Sequence, residues 1–126
     1  MKKLIILSML VCILLSCNMG DMYKPGKPEN FIAYQDGEKI KLEWSASSKD
    51  ILNNMEYEID YYIDRDVNSN YPWPYINTLN GETEFIDSNV STGNTYYYRV
   101  YSVYSKSSDS LTYAYSEKSE IISVTF

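Results

Sequence analysis

From Pro28 to Phe126 the chain never sustains a helical hydrophobic period; apolar and polar residues alternate in short runs separated by turn residues. Ile40, Leu42 and Trp44 fall on one side of a strand whose other side carries Lys39, Lys41 and Glu43, which puts one face in a core and the other in water. Asp36-Gly37 between this run and Phe31-Ile32-Ala33-Tyr34 is a hairpin signal. A polar loop, Ser45 to Asn54, leads to an alternating run with Tyr57, Ile59 and Tyr61 expected inward. A second loop, Asp64 to Asn70, reaches Tyr71-Pro72-Trp73-Pro74-Tyr75, where the prolines allow only an edge strand or a loop. Asn80-Gly81 turns the chain into a run from Thr83 to Asp87, and Ser91 to Asn94 turns it into the long run Thr95 to Tyr104. The last strand is expected at Ile121 to Thr125. Seven short strands at this spacing predict an all-β, two-sheet sandwich.

Composition narrows the chemistry. The chain has no His among its 126 residues, which removes His-ligated metal sites and every Ser-His or Cys-His nucleophile pair. Its net charge of -6, with no Lys/Arg-rich run, lacks the basic stripe that tracks a phosphate backbone. An enzyme and a nucleic-acid partner are therefore disfavoured, and no cofactor or metal is implied.

Met1-Lys2-Lys3 precedes thirteen largely apolar residues, Leu4 to Ser16. A helix of that length reaches roughly 20 Å, short of the ~30 Å hydrocarbon core, so the segment reads as a secretory signal peptide. Its end, Leu14-Leu15-Ser16-Cys17, resembles the lipobox of bacterial lipoproteins. The resemblance implies cleavage after residue 16 and a diacylglyceryl group on the Cys17 thiol, with further acylation of the new amino group. Cys12 leaves with the signal peptide and Cys17 carries lipid, so no disulfide remains. Two or more acyl chains anchor stably where one does not. Loss of Lys2 and Lys3 takes the net charge from -6 to -8, and an acidic body is repelled by an anionic surface. Residues 17–27 are accordingly expected as the lipidated Cys and a flexible tether, the ten residues after Cys17 spanning at most roughly 35 Å and holding the domain away from the bilayer. By resemblance to sorting signals, Asn18 after the lipidated Cys leans towards the outer membrane or cell surface of a bacterial envelope.

Within residues 28–126, Trp44 ending a Leu-x-Trp strand, Tyr57-x-Ile-x-Tyr61, Val90 six positions before Tyr96, Tyr96-x-Tyr98-Arg99-Val100 and Ser116-Glu117-Lys118-Ser119 resemble a fibronectin type III domain. That implies strands A, B and E in one sheet and C′, C, F and G in the other, with Trp44 between them. An immunoglobulin domain would want a Cys pair and its Trp on strand C. Tyr96 falls at the family's tyrosine corner, although Thr92-Gly93 replaces the Pro usual in the preceding turn.

Glu56, Glu58 and Asp60 alternate, with same-face neighbours about 7 Å apart, within reach of a carboxylate pair. An outward sheet face has no cleft to raise one pKa, so these read as solvated strand charges with Arg99 as cross-strand partner. Asp64 to Asn70 begins like a calcium loop, yet Ser69 stands where the turn wants Gly and Tyr75 where a closing Glu belongs. The aromatic residues carry the functional promise. Tyr97 and Tyr101 flank Arg99 outward on strand F, Tyr62 is outward beside them on strand C, and Trp73 and Tyr75 lie near the C′ edge. Together they form a candidate face for a protein or carbohydrate partner. The polar loop Ser105 to Ser110 fits a mobile F-G loop. The functional expectation is a membrane-anchored, non-enzymatic binding or adhesion module, its domain monomeric; the alternative is a spacer subunit with no ligand of its own.

Overall fold

The computed structural model describes residues 22–69, 75–78, 81–105 and 113–126. Among these, β1 (Glu29–Asp36), β2 (Lys39–Ser45) and β5 (Glu84–Asp87) form an antiparallel sheet in the order β1-β2-β5. The second sheet runs β4 (Tyr75–Thr78), β3 (Ile59–Val67), β6 (Thr95–Ser105), with β7 (Tyr113–Tyr115) and β8 (Ile122–Thr125) both pairing with β6. This is the fibronectin type III arrangement, A-B-E against C′-C-F-G, with strand G in two pieces. Gly37 supplies the positive φ (63°) that the two-residue turn between β1 and β2 needs at its first position.

The inward residues of the two sheets meet in one core of Ile40, Leu42, Trp44, Ile59, Tyr61, Ile63, Tyr96, Tyr98 and Val100. Trp44 joins the layers, its ring edge-on to Phe31 at 6.4 Å and to Tyr61 at 5.4 Å. With no disulfide expected, this apolar burial is the principal source of stability. The tyrosine corner is present: the Ser91 backbone N–H donates to the Tyr96 hydroxyl at 2.7 Å, and Tyr96 is 2% exposed.

Four local expectations change. Tyr57 is 76% exposed rather than buried, because Glu56–Glu58 form a 3-10 turn and strand C begins only at Ile59. Glu56 and Glu58 therefore share no sheet face with Asp60, and Arg99 pairs instead with Asp64. The stretch from Asp64 to Val67, expected as the start of a loop, continues β3 in register with β6. The polar loop after β2 contains a short helix, α1 (Ser48–Leu52), capped by the Ser47 hydroxyl, which accepts from the Lys49 N–H at 3.2 Å.

Residues 23–26, placed by sequence in a tether, are bound to the domain. The Tyr23 hydroxyl donates to Asp50 Oδ1 at 2.8 Å, the Gly26 N–H to the same oxygen at 2.9 Å, and the Ser102 hydroxyl to the Gly26 carbonyl at 2.8 Å. Tyr23 also packs edge-on against Tyr104 at 5.7 Å, and Pro25 and Pro28 are buried. Gly26 is required by close approach, since a Cβ there would lie 1.9 Å from Ser47 Oγ. Burial, and then the hydrogen bond and charge of Asp50, push the Tyr23 pKa up to about 12.

Candidate binding face

The outward side of the β3-β6 pair is built by alternation and register. Tyr62 stands directly opposite Tyr101, Asp64 opposite Arg99 and Asp66 opposite Tyr97. The Tyr62 and Tyr101 rings meet edge to face at 5.6 Å. Tyr115 of β7 completes a triangle, 6.3 Å from Tyr62 and 6.1 Å from Tyr101, and Tyr113 extends it at 6.4 Å from Tyr115. Tyr113 and Tyr115 are 45% and 48% exposed, so the triangle opens to solvent along this edge. Beneath it Val103, in register between Asp60 and Tyr115, is buried although it points outward.

The interruption of strand G shapes the other side of the face. Residues 116–121 leave the ladder, and serines replace its missing bonds: the Ser102 N–H donates to Ser116 Oγ at 2.8 Å and the Val100 N–H to Ser119 Oγ at 2.9 Å. Each buried amide is thereby satisfied without a regular strand. The Ser-Glu-Lys-Ser turn carries Lys118 outward, where its Nζ lies 4.9 Å from the centre of the Tyr101 ring and 2.9 Å from Asp64 Oδ2. That oxygen also accepts from Arg99 Nε at 2.6 Å. Asp64, with only 5% of its side chain exposed, is thus held between two cations. Tyr62, Tyr101, Tyr113, Tyr115, Ser116 and Lys118 line a shallow depression of about 540 Å³.

Of the sequence-derived candidates, the structure brings Tyr62 and Tyr101 together and sets Arg99 beside them, tied to Asp64. Tyr97 lies farther along the same face, half-buried. Trp73, the side chain of Tyr75, the loop 106–112 and Cys17 lie outside the described residues. Sequence reasoning missed Tyr113, Tyr115 and Lys118. The signal for the first two was the Tyr-Ala-Tyr alternation at 113–115; nothing local marked Lys118, whose position depends on the serine-stabilised turn. Among the described residues no group of His, Cys, Asp or Glu is arranged to hold a metal ion.

A second polar cluster, on the opposite face of β3, points inward. Arg65 Nε donates to Asp87 Oδ2 at 2.6 Å, its Nη2 donates to the Asn89 carbonyl at 2.6 Å, and its guanidinium lies over the Tyr96 ring at 4.9 Å. The Tyr98 hydroxyl donates to Asp87 Oδ2 at 2.7 Å. Burial, followed by this hydrogen bond and the Asp87 charge, raises the Tyr98 pKa far above its ordinary value. Desolvation pulls the Arg65 pKa down, but the hydrogen bond and charge of Asp87 outweigh it and raise it. The cluster ties β3, β5 and the tyrosine corner together and belongs to stability.

No protein-family model matches the chain, and no curated protein matches it. Among solved structures, one described as "Myokine structure" is similar over 81% of this chain and 97% of its own, with a TM-score of 0.60 and 14% identity. A likeness at that identity is one of fold alone.

Proposed function

We propose that the chain is a lipoprotein of the bacterial cell envelope, anchored through Cys17 at the outer membrane or cell surface, whose fibronectin type III-like domain binds a partner through its tyrosine face. The observation that carries the binding reading is the triangle of Tyr62, Tyr101 and Tyr115, partly open to solvent on an outward sheet face. Tyrosines offer large contact area at a low entropic cost and are enriched where binding energy concentrates. A shallow, tyrosine-rich surface rimmed by Lys118 and Ser116 favours a protein partner; stacking on a glycan uses the same rings. A fibronectin type III-like fold is typically a non-catalytic module, which supports a binding reading.

Crosslinking in intact cells, with the attached molecules identified, tests this directly. Residues 18–126 should bind the recovered partner, and Tyr115→Ala or Tyr101→Ala should remove binding without unfolding the domain. A partner recovered as polysaccharide assigns the rings to glycan stacking instead. Incorporation of radiolabelled palmitate that disappears in Cys17→Ala tests the anchor; labelling that persists in that variant would refute it.

A second reading, a spacer subunit, draws on one observation: Asp64 is already paired with both Arg99 and Lys118 within the chain. On that reading the isolated domain binds nothing but co-purifies with an envelope complex, and Tyr115→Ala leaves co-purification unchanged.

A further inference from the structure

We propose that the end of the sandwich formed by residues 51–57 is a membrane-contact surface that seats the domain on the phospholipid bilayer carrying its lipid. The proposal rests on the reading of Cys17 as the lipidated residue. Of the exposed large apolar side chains among the described residues, Leu52 (81%) and Tyr57 (76%) are the most exposed, and Ile51 stands beside them in sequence at 47%. All three lie in one short segment, α1 and the 3-10 turn after it. Exposure of this degree in such a turn contributes nothing to the core and is costly in water.

The path of the N-terminal segment says what covers this end. Tyr23 and Gly26 bond to Asp50, Lys49 Nζ lies 5.0 Å from the centre of the Tyr23 ring, and the same Nζ donates to the Lys24 carbonyl at 2.5 Å. The chain therefore joins the folded body on α1 itself, directly beside Ile51 and Leu52. Because residues 23–26 are bound, only the five residues Asn18 to Met22 separate Cys17 from the attached segment. Six peptide links from Cys17 to Tyr23 span at most roughly 20 Å. The 11 residues of β6 extend over roughly 35 Å, so the turn between β1 and β2, at the far end of the sandwich, lies beyond that reach.

A tether this short holds the 51–57 tip at high effective concentration beside the headgroups, and weak apolar insertion suffices to seat it. Charge does not drive the contact: Lys24, Lys27 and Lys49 are exposed at this end, and so are Glu56 and Glu58. Leucine, isoleucine and tyrosine suit a shallow position at the headgroup boundary. The acidic body, expected from sequence to be held well away from the bilayer, is then oriented end-on. Its tyrosine face stands sideways, open to a partner.

The test uses the full chain, processed and lipidated in cells and reconstituted into vesicles of phosphatidylethanolamine and phosphatidylglycerol. With Cys12 removed and Cys17 lipidated, one introduced thiol is unique, so Leu52→Cys, Tyr57→Cys, Tyr115→Cys and Glu38→Cys are each labelled with an environment-sensitive fluorophore. Labels at 52 and 57 should shift to shorter wavelength and be quenched several-fold more by nitroxide lipids than labels at 115 and 38. Water-like emission and equal quenching by aqueous iodide at 52, 57 and 38 overturns the proposal while leaving the anchor intact. Quenching by nitroxide lipids at 115 rather than at 52 and 57 also overturns it, because the domain then lies on its tyrosine face. Intact mass of the mature N-terminal peptide separates the two readings: absence of the lipid refutes the anchor and the proposal together.

Discussion

Removing the Asp87 carboxylate exposes the cost of the inward polar cluster. Asp87 accepts three hydrogen bonds, from Arg65 Nε, from the Tyr98 hydroxyl and, at 3.1 Å, from the Asn89 N–H. Its side chain is 5% exposed and that of Arg65 is 14% exposed, so solvent relieves the two charges only slightly. Deleting one member of a buried pair costs about 3–5 kcal/mol, because the other charge stays desolvated without its counter-ion. In Asp87→Ala, Arg65 keeps the Asn89 carbonyl and a little solvent, which places the expected loss near the lower limit, about 3 kcal/mol. For a domain of this size that is a large part of a total of roughly 5–15 kcal/mol. It lowers Tm by roughly 15 °C. The double replacement Arg65→Met with Asp87→Leu removes both charges and should recover most of the loss. Urea unfolding of residues 18–126, followed by tryptophan fluorescence and far-UV circular dichroism, measures both; an unchanged m value shows that the same surface is exposed on unfolding. A loss below about 1 kcal/mol in Asp87→Ala, or a double variant no more stable than the single one, would refute the assignment of this carboxylate as the support of a buried guanidinium.

Other consequences follow from the same geometry. Tyr96→Phe removes the acceptor for the Ser91 N–H and should keep the fold at a cost of about 1 kcal/mol by urea unfolding; unchanged stability would count against the corner. Tyr98 and Tyr61, the latter raised to about 12 by burial and then by the charges of Asp50, Glu56 and Asp60, keep their protons in the fold above pH 10 while the unfolded chain releases them. The unfolded state then binds fewer protons, so stability is intact below pH 10 and falls above it by about 1.4 kcal/mol per pH unit for each such group; the slope should be shallower in Tyr98→Phe. Asp50→Ala removes the acceptor shared by Tyr23 and Gly26, so hydrogen exchange at the Gly26 amide should accelerate while exchange in β6 stays slow. Gly26→Ala should release the same segment through its clash with Ser47, with the same exchange signature.

By itself the sequence determined the layered β architecture. Inward and outward positions on a strand alternate with period two wherever the strand lies, so Ile40, Leu42 and Trp44, and later Tyr96, Tyr98 and Val100, declare a buried face without knowledge of their partners. The turn at Asp36-Gly37 and the facing of Tyr62 and Tyr101 were legible for the same reason. What covers an outward residue, and where a strand starts, depends on chain segments far away in sequence. Tyr57 lost its inward place because a 3-10 turn delays strand C. Residues 64–67 became strand because β6 offers unpaired amides and carbonyls beside them. The tyrosine triangle closed only when Tyr115, placed by pairing to the far edge of β6, came against two rings from other strands. Residues 23–26 read as tether by composition, yet the buried carboxylate of Asp50 binds them to the body. These outcomes belong to the tertiary structure, because each satisfies a buried polar group or a strand edge that no local pattern in the chain records.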